Sequence, residues 1–288
     1  LTIESILNQS FKNFEFLIID DFSSDKSIEI VKSYKDRRIC LEINKKNVGQ
    51  SASLNKGLDI SRGKFIARID QDDIADKDRL LKQFDYITKN KLDLVGSWAS
   101  TIDENGKKTG LIHYPLTHRE INDSLPIGTT FAHSSVLFSK KNIVVCGCYS
   151  KNYSIAMDWD LWIKCAKNGL KFGNINEYLT EIRIHRNQAS KNKKGQKSLH
   201  AEAIALHKIS RDLIKKNQVM NASIGFEFYH RLKYFLLSYD DFKVLKKEII
   251  LLISFKGFYE LIKFFFIYKI FKRSKYFKIM PTWYQNNY

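Results

Sequence analysis

Short apolar runs alternate with longer amphipathic segments along the first 170 residues. Phe16-Leu17-Ile18-Ile19, Ile39-Cys40-Leu41-Glu42-Ile43 and Phe65-Ile66-Ala67-Arg68-Ile69 read as strands, as do residues 92–97 and roughly 134–138, because they are short, rich in β-branched and aromatic side chains and bounded by turn residues. Between them, residues 25–34, 50–60 and 79–89 place apolar side chains at helical intervals; Leu80, Leu81, Phe84 and Ile87 share one face of the last. Residues 158–166 have the same spacing and stop before Gly169. The chain opens at Leu1 inside another helical pattern, with Ile3, Ile6 and Leu7, which leads us to expect a fragment whose preceding strand is missing. Strands alternating with helices predict an α/β protein with a mostly parallel sheet flanked by helices. The periodicity lapses between residues 104 and 127, where Asn105-Gly106 predicts a hairpin turn, Pro115 and Pro126 act as breakers, and an acceptor-side region has room to sit.

Two of the strands end in carboxylates. The run ending at Ile69 leads into Asp70-Gln71-Asp72-Asp73, and the run ending at Ile19 leads into Asp20-Asp21, followed by Ser23 or Ser24 as a helix N-cap. Unit charges about 4 Å apart repel by roughly 4 kcal/mol at an effective dielectric near 20, so such crowding calls for a cation unless the segment is a solvated acidic turn. Oxygen donors of this kind suit Mg²⁺ or Mn²⁺, which bind one or two carboxylates together with substrate phosphates. In open α/β sheets ligands bind beyond the carboxyl ends of strands, so these two ends define one crevice. Asp158 and Asp160 fall in the first turn of a helix, where the dipole by itself accounts for acidic residues.

The 288 residues suffice for one α/β domain, taken as 1–199, and a C-terminal helical appendage, 200–288. The net charge of +17 implies an anionic partner without choosing among nucleic acid, lipid surface and phosphorylated substrate. The four cysteines, Cys40, Cys146, Cys148 and Cys165, show no zinc spacing and no disulfide framework, as expected of a reduced, cytoplasmic protein. The appendage holds 20 of the 38 aromatic residues and 16 Lys/Arg against 7 Asp/Glu. Its apolar stretch 249–271 is interrupted by Lys256, Glu260, Lys263 and Lys269, too often to span a bilayer. That pattern fits a helix lying in a membrane interface, or one packed on the α/β domain.

Read in order, Ser5-Ile6-Leu7-Asn8-Gln9-Ser10-Phe11, Ile19-Asp20-Asp21-Phe22-Ser23-Ser24-Asp25, Asn47-Val48-Gly49, Asn55-Lys56-Gly57 and Asp70-Gln71-Asp72-Asp73 resemble the family 2 glycosyltransferases of GT-A fold. The resemblance continues through His133-Ser134-Ser135-Val136, Met157-Asp158-Trp159-Asp160-Leu161-Trp162 and Ile182-Arg183-Ile184-His185, covering about residues 1–190. It implies a Rossmann-like sheet and inverting transfer of a sugar from a nucleotide-diphosphate donor to the hydroxyl of a glycan or lipid-linked acceptor. By position, Asp21 would bind the nucleobase, Asp70 the ribose or the metal shell, Asp72 the Mg²⁺ or Mn²⁺ ion, and Asp73 the donor sugar or metal. Asp158 takes the place of the catalytic base, and His185 that of a histidine reaching the metal or diphosphate. Residues 186–197 read as a basic loop, either a lid over the diphosphate or plainly solvated. His133 is placed near the sugars or packs at a strand start, and Trp159 and Trp162 belong to core and pocket wall.

Three departures from the family pattern stand out. The first strand with its Pro-x-Tyr-Asn turn is absent, Met157 stands where an acidic residue is common, and Leu54 replaces a frequent arginine. A nucleotidyltransferase acting on sugar phosphates would share the strand-end carboxylates but needs a Gly-rich phosphate loop. A basic nucleic-acid binder would interleave Lys/Arg and aromatics on strand faces rather than line a crevice with carboxylates, so no nucleic-acid partner is expected. Abundant Lys, Asn and Ile suggest an AT-rich bacterial genome and, with the resemblance, synthesis of capsule, O-antigen or related polysaccharide on the inner face of the plasma membrane.

Overall fold

The computed structural model describes residues 1–186, 188, 192–214 and the single positions 220, 223 and 227. The interfacial helix expected at 249–271 and most of the 200–288 appendage lie outside the described residues. So do residues 187 and 189–191 of the expected loop.

The elements follow in the order α1 (Thr2–Leu7), β1 (Phe16–Asp20), α2 (Ser27–Ser33), β2 (Ile39–Ile43), α3 (Gln50–Ile60), β3 (Phe65–Ala67), β4 (Ile74–Ala75), α4 (Arg79–Lys89) and β5 (Leu94–Ile102). They continue with β6 (Lys108–Ile112), α5 (His118–Ser124), a 3₁₀ turn at His133–Ser135, β7 (Leu137–Ser139), α6 (Lys140–Val145), α7 (Met157–Lys167), β8 (Phe172–Arg183) and α8 (Lys193–Ile209). β1 and β2 form a parallel pair of their own, while the larger sheet runs β3-β7-β5-β8-β4 with β6 on β5.

The α/β class is as the sequence predicts, but strand directions are mixed rather than mostly parallel. β5 and β8 are parallel, joined by a long crossover that contains α5, α6 and α7. β6 returns antiparallel after Asn105-Gly106, since five residues cannot make a crossover; Gly106 supplies the positive φ of 85° that this turn needs. β7 is antiparallel to both β3 and β5, and β4 to β8. The lapse at 104–127 also hides α5, whose start is fixed by a capping box in which Thr117 accepts from the Glu120 amide and Glu120 from the Thr117 amide.

The main core gathers around α7, which buries Met157, Trp159, Leu161, Trp162, Ile163 and Cys165 against Phe131, Phe138 and Phe172. A helix apolar on nearly all sides belongs in the interior. α8 joins this core through Ala203 and Leu206, with the His207 ring edge-on to Trp159 at 5.1 Å. It therefore runs unbroken through position 199/200, and its start at Lys193 shortens the loop expected at 186–197.

Candidate active site

One cleft of about 2110 Å³ is lined by Asp21, Asp70, Asp72, Asp73, Asp158 and His185. The six residues singled out from the sequence come from the ends of β1, β3 and β8 and from the first turn of α7, yet they share this surface. The same cleft extends along the whole of β1 and β3, and among the described residues each of these strands pairs on one side only.

Asp21 organises the loop that leads into α3. Its Oδ1 accepts from Asn44 Nδ2 and the Val48 amide, both at 2.9 Å, and its Oδ2 from the Gly49 amide at 2.8 Å. Burial pushes its pKa up, but these bonds outweigh burial and hold it below the ordinary carboxylate value. Gly49 lies at φ 87°, a conformation that turns its amide toward Asp21 at little steric cost.

Arg68, only 6% exposed, is the residue that the sequence reading passed over. Its guanidinium grips both oxygens of Asp70, with Nη1 2.7 Å from Oδ2 and Nη2 on Oδ1. Ser134 completes the arrangement: its hydroxyl lies 3.0 Å from both Asp70 Oδ2 and Arg68 Nη1 and accepts from the Asp70 amide at 3.1 Å. Beneath it lies Arg79, 1% exposed, which donates to the carbonyls of Arg68 (2.6 Å) and Val136 (3.3 Å) and to Gln83 Oε1 (3.1 Å). Burial and the charge of Arg68 push its pKa down to about 9, so it remains a cation at neutral pH.

Asp73 is buried and accepts from the Arg183 amide at 2.9 Å. Burial lifts its pKa to about 6 against the hydrogen bonds from Ser134 and Arg183, with Asp70 and Asp72 adding to the rise. Asp72 pairs differently, its Oδ2 standing 3.0 Å from His185 Nε2. Arg183 braces this corner by donating from Nε to the Asp72 carbonyl (3.0 Å) and from Nη1 to the Asp103 carbonyl (2.8 Å). No group of three His, Cys, Asp or Glu side chains able to hold a metal occurs among the described residues. The donor set nevertheless fits an ion that takes one carboxylate and one imidazole from protein and the rest from diphosphate and water. Asp72 and His185 stand together as such a pair, and Asp70, also expected as a ligand, lies on the same cleft paired with Arg68.

Asp158 is partly buried on the cleft wall, with Oδ1 accepting from the Trp159 amide at 2.8 Å. Burial lifts its pKa to about 6; the Trp159 bond and the positive charge of Arg68 oppose the rise, and Asp70 adds to it. His133 sits on the same cleft with Nε2 2.9 Å from the Tyr149 hydroxyl, its pKa pushed well down by burial and by Arg68, so the ring is neutral. Burial raises the Tyr149 hydroxyl, which stays protonated. The signal for Arg68 and Ser134 lay in the sequence as charge and hydroxyl inside otherwise apolar runs.

Two outcomes follow from these contacts. Replacing Arg68 by Leu leaves Asp70 with Ser134 and solvent and should cost about 1–2 kcal/mol in denaturant unfolding, well below the value for a fully buried pair because the Asp70 side chain is 41% exposed, while the double change Arg68→Leu with Asp70→Leu recovers part of it. Asp73 binds its proton more tightly when folded than when unfolded, so its ionised form is a burden above about pH 6 that vanishes below about pH 4. In chelator, Asp73→Asn should therefore melt several degrees above the unaltered protein at pH 7.5, and melting curves should show the gap closing as pH falls toward 4.

The family model described as "Glycosyl transferase family 2" matches residues 1–147. An uncharacterised glycosyltransferase of Methanocaldococcus jannaschii is 40% identical over 190 residues, 64% of this chain and 64% of that protein. The O-antigen biosynthesis glycosyltransferase WbnJ of Escherichia coli is 33% identical over 229 residues, 77% of this chain and 85% of its own length. Among solved structures, S. aureus TarS 1–349 in complex with UDP-GlcNAc superposes with a TM-score of 0.55 at 14% identity, covering 83% of this chain and 78% of that one. The mannosyltransferase PcManGT from Pyrobaculum calidifontis, in complex with GDP-Man and Mn²⁺, gives 0.53 at 12% identity, covering 92% and 79%. These likenesses establish the GT-A fold.

Proposed function

Since the chain belongs to glycosyl transferase family 2, we propose that it transfers a sugar from a nucleotide-diphosphate donor to an acceptor hydroxyl with inversion at the anomeric carbon. The observation that carries this reading is Asp158: an aspartate in the first turn of a buried helix, on the cleft that Asp21, Asp70 and Asp72 also line, with its pKa lifted to about 6. A general base works best when its pKa approaches the operating pH, and a positioned one is typically worth 10²–10⁴ in rate. Asp158 accepts the acceptor proton as the hydroxyl attacks C1 from the face away from the leaving diphosphate. Asp21, rigidly held by Asn44, Val48 and Gly49, presents fixed lone pairs to a nucleobase N–H, and Asp70, fixed by Arg68 and Ser134, does the same for ribose hydroxyls. Asp73 steadies the donor sugar or the metal shell. Asp72 and His185 would hold Mg²⁺ or Mn²⁺, which when bound neutralises charge developing on the diphosphate.

Family membership favours glycosyl transfer over nucleotidyl transfer and over a nucleic-acid-binding role. WbnJ, named for O-antigen biosynthesis, supports a glycan or lipid-linked acceptor in bacterial surface polysaccharide synthesis. We place the work in the cytoplasm at the membrane face. No helix among the described residues is long and apolar enough to cross a membrane. The contact proposed is peripheral, through the basic aromatic segment 249–271, whose apolar run is interrupted by Lys256, Glu260, Lys263 and Lys269.

A panel of UDP- and GDP-sugars, screened with Mg²⁺ and Mn²⁺ for thermal stabilisation and nucleoside-diphosphate release, identifies the donor. With that donor, Asp158→Asn should lower turnover at least a hundredfold while donor affinity by calorimetry stays within about twofold. Equal loss of both would make Asp158 structural. Deletion of residues 249–288 should release the protein from anionic liposomes in flotation, and unchanged flotation would place the membrane contact elsewhere.

A further inference from the structure

We infer that Glu202 of α8 is a positioning residue for Asp158, clamping the chain that leads into α7 and so fixing the turn from which Asp158 enters the cleft. The inference rests on the reading of Asp158 as the base. Glu202 Oε1 accepts from the Ser154 amide and the Ser154 hydroxyl, both at 2.8 Å. Its Oε2 accepts from the amides of Ile155 at 3.0 Å and Ala156 at 2.8 Å. One carboxylate thus gathers four donors from three consecutive residues, an arrangement of charge-assisted bonds that leaves little freedom at the entry of the helix.

Within α7 only Asp158 accepts a first-turn amide, that of Trp159, and nothing at the N-cap position holds the chain that enters the helix. Its N-cap is Ala156, with no side chain to accept an amide. Glu202, from a distant part of the chain, instead fixes the residues that lead into the helix, up to the N-cap Ala156, and its negative charge suits the positive end of the helix dipole. α8 is itself seated, with Ala203 and Leu206 in the main core and His207 Nδ1 3.0 Å from the Pro126 carbonyl. Burial pushes the His207 pKa down to about 3, so the group against Trp159 is neutral. On the far side of Asp158, Trp159 is pinned by its Nε1 donating to the Leu125 carbonyl at 2.8 Å. Asp158 therefore lies between two anchored neighbours, Ala156 and Trp159. Ser154, Ile155 and Met157 line the cleft as well, so the clamped segment is part of its wall. A displacement of about 1 Å in such a group can cost a hundredfold in rate.

The test uses the full chain and the UDP- or GDP-sugar that it hydrolyses fastest with Mn²⁺. Glu202→Ala should lower kcat ten- to a hundredfold with donor KM within about twofold. Glu202→Gln, which keeps one acceptor oxygen, should fall between. In the Asp158→Asn background, Glu202→Ala should change the residual rate less than about twofold, because the two residues act as a unit. Leu206→Ala serves as the packing control: it lowers the melting temperature while kcat well below melting is kept. Hydrogen exchange gives a readout independent of turnover. The amides of Trp159 and Asp160, the latter bonded to the Ala156 carbonyl at 3.1 Å, should exchange faster in Glu202→Ala together with those of 154–156. An equal fall in rate with and without Asp158, a kcat loss matched by Leu206→Ala, or acceleration confined to 154–156 would overturn the inference. Full activity of Asp158→Asn would instead remove the base assignment, and it is read from that single variant.

Discussion

Two guanidinium groups buried beneath the end of β3 are what allow carboxylates to crowd there. Arg68 neutralises Asp70 directly, and Arg79 carries its charge under the strand while tying the Arg68 carbonyl to α4. Without them, Asp70, Asp72 and Asp73 would face one another in a partly buried corner at a cost of several kcal/mol. A divalent ion is thus not required to hold the strand end together. The acidic corner is held by protein charges of its own.

The same guanidinium reaches across the cleft electrostatically. Arg68 lowers the pKa of Asp158 while burial and Asp70 raise it, and the balance falls near 6. It also helps to keep His133 neutral. One side chain therefore biases two neighbours on other elements, with burial the larger cause in each. β3, the turn at His133–Ser135 and α7 meet at this point as well as in the apolar core.

Much of this was legible in the residues. The spans of β2, α3 and α4 follow the spacing of their apolar positions, and the acidic strand ends mark the cleft because ligands gather at the carboxyl ends of strands. Arg68 showed as a charge inside an apolar run but not as the counter-charge of Asp70, since it stands just past β3, where strand alternation no longer fixes which way a side chain turns. Strand direction was hidden too: β7 and β4 are short, and their partners β3, β5 and β8 are distant in sequence. The resemblance ended near residue 190, but α8 proved integral to the core. Its buried face is made of Ala203, Leu206 and His207, too small and too polar to announce a core helix.

The seating of α8 changes where this protein can be cut. A module trimmed to the span of the family match would lose α7, β8 and α8 altogether, and one cut at residue 199 would sever a helix whose side chains complete the interior and bond the chain entering the neighbouring helix. Chimeras that exchange donor specificity between relatives should carry the chain at least through Ile209 as a single cassette. A seam placed after this helix keeps it whole, whereas one at residue 147 or 199 does not.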